Sequence, residues 1–159
     1  MYTHILLPTD GSELSKMALR EGVDLAKALR AKVTVVTVTP PFQVSGFISP
    51  PMLADTRDQY QKQMAALAGE ILDVARRIAA AAGVACDVVH VENEHPYQAI
   101  INTAQVWGCD AILMASHGRR GMSAIVLGSE TLKVLTHSAI PVIVCRQPRA
   151  SIAQLLAAS

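Results

Sequence analysis

Two segments of the sequence bring together the residue types that bind phosphate groups. The longer segment covers residues 116–129, SHGRRGMSAIVLGS, and is rich in glycine, arginine and serine. Glycine lets main-chain N–H groups approach phosphate oxygens because it has no Cβ, and an arginine can bind a phosphate through two parallel hydrogen bonds. The N–H groups at the start of a following helix would add to such a site. The candidate anion-binding residues are Gly118, Arg119, Arg120, Gly121, Gly128, Ser129 and Thr131.

The shorter segment covers residues 8–12, PTDGS, and follows an apolar run that predicts a buried strand. In an open parallel sheet, ligands bind beyond the carboxyl ends of the strands, where the strand order reverses. If the strands before the two segments are neighbours, both segments line one crevice. Plainer interpretations stay open at this point. The glycines could only make a long connection, the arginine pair could be solvated, Asp10 could be a turn residue and Ser129 a helix N-cap.

Several familiar kinds of site are not supported by the sequence. The P-loop pattern needs a lysine that the glycine-rich segment lacks, and the dinucleotide pattern G-x-G-x-x-G is absent after the first predicted strand. The cysteines at 86, 109 and 145 are odd in number and far apart, which predicts reduced thiols. Four histidines show no metal-ligand spacing. The fifth, His117, invites a catalytic interpretation, but the histidine pair of nucleotidylyl transferases is missing, which favours a role in loop structure or ligand contact.

Composition predicts one domain without a nucleic-acid or membrane partner. The chain has 159 residues, of which 51% are hydrophobic and 17% charged, with a formal net charge of +1. This charge provides no basic face for nucleic acid, although a small anion needs only local positive charge. The start, MYTHILLPTD, lacks the basic and apolar regions of a signal peptide, and no run of about 18 apolar residues occurs. We therefore expect a cytoplasmic protein.

Hydrophobic patterns predict strands and helices in strict alternation. Short apolar or β-branched runs indicate buried strands, amphipathic spacing indicates helices, and a loop is predicted over residues 42–55. Near-continuous apolar strands favour a parallel sheet covered on both faces. The predicted class is therefore α/β, a single-domain, doubly wound, five-stranded parallel sheet of the Rossmann-like type. The predicted strands are 4–8, 33–39, 84–91, 110–115 and 141–145, and the predicted helices are 13–30, 56–82, 96–107 and 129–138.

The spacing of the glycine-rich segment resembles that of the universal stress protein family. The family signature has the form G-x-x-G, nine residues, then G-[ST], and here Gly118 is followed by nine residues and then Gly128-Ser129. The wider string MASHGRRGMSAIVLGSET, the early PTDGS and the closing IPVIVCR are also similar to the family's versions. The resemblance covers residues 2–146, so we expect the domain at 1–146 and a tail at 147–159.

One position departs from the signature, because Ala115 stands where the family has its first glycine. Ala115 ends a predicted strand, so a negative φ is expected there and alanine should fit. If the site instead needs a positive φ, alanine would cost on the order of 1 kcal/mol. Its methyl group could also crowd the ligand.

The resemblance implies a fold like that of the adenine nucleotide alpha hydrolases, with strand order 3-2-1-4-5, and a homodimer formed through the fifth strands. It also implies ATP as the ligand, with AMP or ADP as alternatives, and Mg²⁺ bridging the phosphates. Asp10 would lie beside the nucleoside and hold the ribose or the metal, while the backbone of Val38 would meet adenine. The implied nucleotide-binding residues are Pro8, Thr9, Asp10, Val38, Met114, Ala115, His117, Gly118, Arg119, Arg120, Gly121, Gly128, Ser129, Glu130 and Thr131, and the implied dimer strand holds Val142, Ile143 and Val144.

Three functions follow as alternatives. The first is a nucleotide-binding regulatory or stress-response protein without fast turnover, because no activated nucleophile with a partnered base is evident. The second is a slow ATPase or an adenylyl-transferring enzyme, for which Asp10 and His117 are the candidate groups. The third is a protein-interaction module of the same fold that has lost nucleotide binding, which the alanine at position 115 would explain.

Overall fold

Strands and helices alternate along the chain, as the hydrophobic patterns predict. The structure, a computed structural model, describes residues 1–44, 46, 49–117 and 127–146. Apart from the start of the second helix, the observed ends differ from the predicted ones by no more than two residues. The strands are β1 (His4–Pro8), β2 (Lys32–Thr39), β3 (Cys86–Glu92), β4 (Ala111–Ala115) and β5 (Val142–Cys145). The helices are α1 (Glu13–Leu29), α2 (Pro50–Ala82), α3 (Pro96–Val106) and α4 (Ser129–His137).

The strands form one parallel sheet in the order β3-β2-β1-β4-β5, which confirms the predicted fold class and strand order. The chain moves outward from β1 to β3 and then crosses to the other side of β1, so the order reverses between β1 and β4. Strands β1 and β2 are paired over five positions, up to Pro8 with Val36. Strands β1 and β4 are paired at only two, the last of which joins Leu6 to Ile112. The sheet therefore opens between β1 and β4 toward its carboxyl edge.

Alternate residues of the strands point to opposite faces of the sheet and build two cores. On one face, α1 and α2 cover side chains such as Ile5 and Val33. On the other face, α3 and α4 cover side chains such as Leu6 and Val36. Because both faces are covered, the central strands β1 and β4 are buried and almost entirely apolar, whereas the edge strand β3 carries exposed polar residues such as Asp87 and His90. This packing fixes the ends of β1 and β4, which lead into the segments at 8–12 and 116–129. These two are called the chemistry-bearing segments.

Helix α2 begins at Pro50, so the predicted loop over residues 42–55 is wrong where it overlaps the helix. Proline is tolerated in the first turn, because its missing N–H would have no intrahelical partner there. The two prolines therefore start the helix and do not break it. The Tyr60 hydroxyl donates to the C=O of Pro40 at 2.9 Å, and the Tyr60 and Phe42 rings lie 5.5 Å apart. Although α2 has 33 residues, neither it nor any other helix of the described ranges is long and apolar enough to span a membrane.

The amino-terminal edge of the sheet is closed by polar contacts. Asp110 accepts hydrogen bonds from the N–H and the hydroxyl of Thr3, both at 2.8 Å, and from the N–H of His4 at 3.1 Å. Burial alone would raise the pKa of the Asp110 carboxyl, but these donors hold it below its usual range. His4 Nε2 lies 2.7 Å from Oγ1 of Thr34, and burial, together with nearby Lys32, lowers the pKa of the imidazole. At this edge the polar groups described above are hydrogen-bonded to one another, whereas at the carboxyl edge β1 and β4 separate.

Candidate functional site

The opening between β1 and β4 lies between the two chemistry-bearing segments. The first segment leaves β1 at Thr9, whose N–H donates to the C=O of Val36 in β2 at 2.9 Å. The second leaves β4 at Ser116, whose N–H donates to the C=O of Cys145 in β5 at 2.8 Å. Each segment is therefore bonded to the strand on its outer side, and the two diverge. This is the switch point at which open parallel sheets bind ligands.

The loop between β1 and α1 is held by its own side chains. Asp10 Oδ1 accepts from the N–H of Ser12 at 2.9 Å, which makes a tight turn, and Gly11 between them has a φ of 78°. The Thr9 and Ser15 hydroxyls lie 3.0 Å apart. Ser12 Oγ accepts from the N–H of Ser15 at 3.2 Å, so Ser12 caps α1. These bonds fix the position of the Asp10 carboxylate at the end of β1.

Helix α4, in contrast, begins without a side-chain cap. Its N-cap is Gly128, and no side chain of the described residues bonds to this end. The N–H of Leu132 donates the first intrahelical hydrogen bond, to the C=O of Gly128 at 2.9 Å. The N–H groups of residues 129–131 therefore precede the helical hydrogen-bond ladder. Such N–H groups carry the positive end of the helix dipole, so the start of α4 suits a phosphate.

Gly128 lies in a tight space, where a side chain would crowd its neighbours. Its N–H donates to the C=O of Ser116 at 2.8 Å, and an added Cβ would lie 3.0 Å from both the Cα and the Cβ of His117. Its φ of −62° is one that any residue adopts, so only the lack of a side chain matters. His117 is half-buried, and its Nδ1 lies 3.1 Å from the Ser116 hydroxyl. These contacts give His117 a structural place beneath the start of α4.

The side chains of Thr131 and Glu130 have protein partners. The Thr131 hydroxyl is buried and donates to the C=O of Ala115 at 3.0 Å. Glu130 Oε2 accepts from the N–H of Tyr97 at 3.0 Å, and Oε1 lies 2.8 Å from Lys133 Nζ. A ligand at this helix end would therefore meet the main-chain N–H groups of residues 130 and 131 before their side chains.

An apolar wall that could contact a base lies on the α3 and α4 face of the sheet. Val38 from β2 and Met114 from β4 belong to the same apolar cluster on this face. The pairing of β1 with β2 ends at Pro8 and Val36, while β2 continues to Thr39. The backbone of Val38 therefore extends past the end of β1, at the opening of the sheet.

Ala115 occupies an ordinary strand position. It pairs with Cys145 in the β4–β5 register, and only 7% of its surface is exposed. Among the described residues other than glycine, only Arg30 has a positive φ, of 57°. The alanine that replaces the first signature glycine is therefore unstrained, as expected for the end of a strand.

The three cysteines are unsuited to act as nucleophiles. All are free thiols, as predicted. Burial raises the pKa of Cys109 to about 11 and that of Cys145 to about 12, and burial also raises the pKa of Cys86. Because the thiolate is the reactive form of cysteine, all three are protonated and unreactive at neutral pH.

A cavity of about 240 Å³ lies between α1 and α2, on the face opposite to the apolar wall. Thr9 and Gly11 border it at the end of β1. The remaining lining comes from the two helices and includes neither the wall residues nor the start of α4. This cavity is therefore separate from the opening between β1 and β4. Its helical lining residues are Lys16, Leu19, Leu67, Glu70, Ile71 and Val74.

Comparison with known proteins identifies the family. A family model described as "Universal stress protein family" matches residues 1–146. The chain belongs to the universal stress protein family. This agrees with the resemblance found in the glycine-rich segment and in the segment after β1.

Other universal stress proteins are similar to this one over nearly its whole length. Universal stress protein YxiE of Bacillus subtilis is 29% identical over 153 residues, covering 92% of this chain and 100% of that protein. The solved structure of UspA from Lactobacillus plantarum is 24% identical with a TM-score of 0.76, covering 91% and 98%. Two further structures contain nucleotides. A universal stress protein in complex with cAMP is 23% identical with a TM-score of 0.62, covering 92% and 99%. One from Archaeoglobus fulgidus in complex with dAMP is 18% identical with a TM-score of 0.57, covering 90% and 97%.

Part of the signature of this universal stress protein lies outside the described residues. The phosphate-binding role of Gly118, Arg119, Arg120 and Gly121 stays a prediction, and the tail at 147–159 is likewise outside. The other predicted site residues lie at or next to the carboxyl ends of β1, β2 and β4. These are Pro8, Thr9, Asp10, Val38, Met114, Ala115, His117, Gly128, Ser129, Glu130 and Thr131.

Sequence reasoning missed the contact between Tyr97 and Glu130. Tyr97 follows the proline that opens α3, where a main-chain N–H lacks an intrahelical partner. That position signals the need for an acceptor. The acceptor itself lies 33 residues away on another helix, so only the folded chain reveals it.

Proposed function

We propose that this universal stress protein binds an adenine nucleotide, ATP with Mg²⁺, and acts as a regulatory stress-response protein in the cytoplasm. The observation that carries the proposal is the start of α4. There Gly128 has no side chain, and no described side chain caps the N–H groups of residues 129–131, at the carboxyl edge where β1 and β4 separate. Phosphates bound at these N–H groups would interact with the positive end of the helix dipole.

The base would lie against the apolar wall that contains Val38 and Met114. Phosphate donors and an apolar surface at the same sheet edge suit a nucleotide better than a free phosphate. The cAMP and dAMP complexes of two similar family members favour adenine as the base. A main-chain contact at Val38 would recognise adenine, because β2 continues past the end of β1 at this residue.

Magnesium would be held chiefly by phosphate oxygens. Within the described ranges, no group of three or more His, Cys, Asp or Glu residues is arranged to hold a metal ion. Mg²⁺ fits this situation, since it commonly binds through one or two carboxylates together with substrate phosphates and water. We assign the carboxylate to Asp10, whose Oδ1 is positioned by the N–H of Ser12 at 2.9 Å. A carboxylate oxygen has more than one lone pair, so this bond is compatible with metal binding.

Isothermal titration of the purified protein with ATP and Mg²⁺ tests the proposal. We expect saturable binding of ATP and weaker binding of GTP, because the main chain at Val38 would recognise adenine. Mass analysis of nucleotide released from protein purified without added ligand decides among ATP, ADP and AMP. Phosphate release in the same mixtures separates simple binding from slow hydrolysis. If no heat is seen with millimolar ATP and Mg²⁺, the proposal is wrong.

We also propose that β5 joins two copies of the chain into a homodimer. Strand β5 is an edge strand, and its Val142, Ile143 and Val144 are all half-buried. On α4, the side chains of Leu132 and Leu135 are 54% and 38% exposed. An apolar edge strand beside exposed leucines is a surface that proteins commonly cover.

Light scattering coupled to size-exclusion chromatography tests the dimer. We expect the mass of two chains for the natural protein and of one chain for Val144→Lys, because a lysine would be buried without a partner at the joined edges. The control is Asp24→Lys, a charge change at an exposed position of α1, which should leave the dimer intact. A dimer in Val144→Lys, or a monomeric natural chain, would contradict the proposed interface.

A further inference from the structure

The N-terminal turns of α3 and α4 are joined by the side chain of Glu130. Its Oε2 accepts from the N–H of Tyr97, in the first turn of α3, at 3.0 Å. The N-cap of α3 is His95, which makes no side-chain cap hydrogen bond. Glu130 thus supplies to α3, from the neighbouring helix, the acceptor that the α3 N-cap lacks.

Tyr97 is held on α4 by its ring as well as by its N–H. The ring centroids of Tyr97 and His137 lie 5.3 Å apart, and Lys133 Nζ lies 5.4 Å from the Tyr97 ring centroid. Lys133 Nζ also lies 2.8 Å from Glu130 Oε1. The contacts of Tyr97 therefore span both ends of α4, and Glu130 makes the contact nearest to the proposed phosphates.

A carboxylate at this place needs an explanation, because its charge would repel a phosphate bound at the start of α4. Two cationic groups offset that charge: the positive end of the α3 dipole, through Tyr97 N–H, and the Lys133 ammonium. These two partners engage both carboxylate oxygens of Glu130. The geometry points to a mechanical role for the Glu130 side chain, with ligand contact left to the main chain.

We propose that Glu130 is a positioning residue, which docks the first turn of α4 onto α3 and so holds the N–H groups of residues 129–131 at the opening of the sheet. The effect on ligand affinity rests on the proposed nucleotide binding, whereas the docking itself does not. Without the bond to Tyr97, the hydrogen bonds from the first turn of α4 to other described elements would be those of Gly128 to Ser116 and of Thr131 to Ala115. Its N–H groups would then be less well ordered for phosphate.

A comparison of Glu130→Gln with Glu130→Ala isolates the hydrogen bond, because both substitutions remove the charge and only glutamine can accept from Tyr97. We expect Glu130→Gln to bind Mg²⁺–ATP within about twofold of the natural chain and Glu130→Ala to bind about fivefold more weakly than Glu130→Gln. Glu130→Asp keeps the charge but is too short to reach Tyr97, so it should behave like Glu130→Ala. It serves as the second variant if Glu130→Ala folds poorly.

The matched control is Glu13→Ala. Glu13 lies in the first turn of α1 and pairs with Lys16 at 2.8 Å, three residues on, as Glu130 does with Lys133. The described contacts of Glu13 include no second helix, so its loss should leave ATP affinity unchanged.

Amide resonances of the ligand-free protein, measured by nuclear magnetic resonance, test the docking without nucleotide. The N–H signal of Tyr97 should move in Glu130→Ala and stay near its natural position in Glu130→Gln, and the signals of residues 129–131 should follow the same pattern. Unchanged signals in Glu130→Ala would overturn the proposal whether or not ATP binds. Equal ATP affinity of the alanine and glutamine variants, with the natural chain binding, would overturn its functional part. A natural chain that fails to bind ATP would instead refute the proposed function.

Discussion

Helices α1 and α4 start at the same edge of the sheet but differ in what accepts hydrogen bonds from the N–H groups of their first turns. Each begins after one of the two strands that separate, β1 and β4, and each has N–H groups in its first turn that need acceptors. At α1 the chain supplies an acceptor itself, since Ser12 caps the helix and Asp10 closes the preceding turn. At α4 the N-cap is Gly128, which has no side chain to offer.

In the proposed function, the two helix ends have different tasks. The self-capped end of α1 is held by its own hydrogen bonds, and the proposal has it present the Asp10 carboxylate to a metal or ribose. The uncapped end of α4 leaves donors to an anion, which then completes the helix end. A protein that capped both ends with its own side chains would be more stable but would lack the donors that the proposed anion site uses. The contrast therefore favours binding at α4, and substitutions at the two helix ends can test it.

The largest expected effect comes from Gly128→Ala. The new Cβ would lie 3.0 Å from the Cα and Cβ of His117 and 3.4 Å from the Ser116 carbonyl oxygen. We expect this crowding to displace the start of α4, so that Mg²⁺–ATP affinity falls at least about tenfold by titration calorimetry, with a stability loss of about 1 kcal/mol.

Gly69→Ala is the matched control for this substitution. Gly69 lies inside α2, and a Cβ added there meets nothing within 4 Å. Alanine should therefore raise the free energy of unfolding by about 0.5–1 kcal/mol, because glycine is a poor helix former, and leave ATP affinity unchanged. If Gly128→Ala binds ATP as the natural chain does, the start of α4 is not the phosphate site.

Asp10 should matter next most, and its two functions can be separated. In the natural chain, the N–H of Ser12 lies 2.9 Å from Oδ1 of Asp10. Asp10→Asn keeps an oxygen that can accept this hydrogen bond but removes the charge. We expect the turn to stay closed in this variant, while the gain in ATP affinity from Mg²⁺ falls about fivefold. Asp10→Ala should show the same loss and also lose about 1 kcal/mol of stability, because the turn is no longer closed.

Titrations of both Asp10 variants with and without Mg²⁺, together with urea unfolding, distinguish these effects. If Mg²⁺ strengthens ATP binding by Asp10→Asn as much as it does for the natural chain, Asp10 is not the metal ligand. The loop between β1 and α1 would then have only a structural role.

A crossed pair of serine substitutions gives a smaller effect and addresses the comparison directly. Ser12→Ala removes the cap of α1, whose Oγ accepts from the N–H of Ser15 at 3.2 Å. It should cost about 1 kcal/mol of stability with ATP affinity changed less than about twofold. Ser129→Ala, at an exposed position in the uncapped first turn of α4, should leave stability unchanged and weaken ATP binding about threefold. Thermal unfolding and calorimetry on both variants measure these effects. If Ser12→Ala weakened ATP binding and Ser129→Ala lowered stability instead, the proposed difference between the two helix ends would be wrong.

The contrast between these helix ends also shows what the sequence could and could not predict. Ser12 before an amphipathic run is a local cap signal, and it predicts the start of α1 correctly. The glycine spacing placed Gly128 at the start of α4, because that signal too is local. The sequence favoured a loop at Pro50, since proline is both a breaker and a first-turn residue. It could not reveal that the Glu130 and Thr131 side chains are engaged by Tyr97 and Ala115.

The smallest expected effect, from Ala115→Gly, decides whether the departure from the family signature matters. Ala115 is unstrained in β4 and nearly buried, so the methyl group contributes to the core and glycine would only loosen the strand. We expect a stability loss of about 1 kcal/mol and ATP affinity within about threefold of the natural value, because the main chain that accepts from Thr131 is unchanged. If Ala115→Gly instead binds ATP at least tenfold more tightly, the methyl group crowds the ligand. The natural chain would then resemble an interaction module, in which the Ala115 methyl group hinders anion binding at the start of α4 even though Gly128 leaves that helix end uncapped.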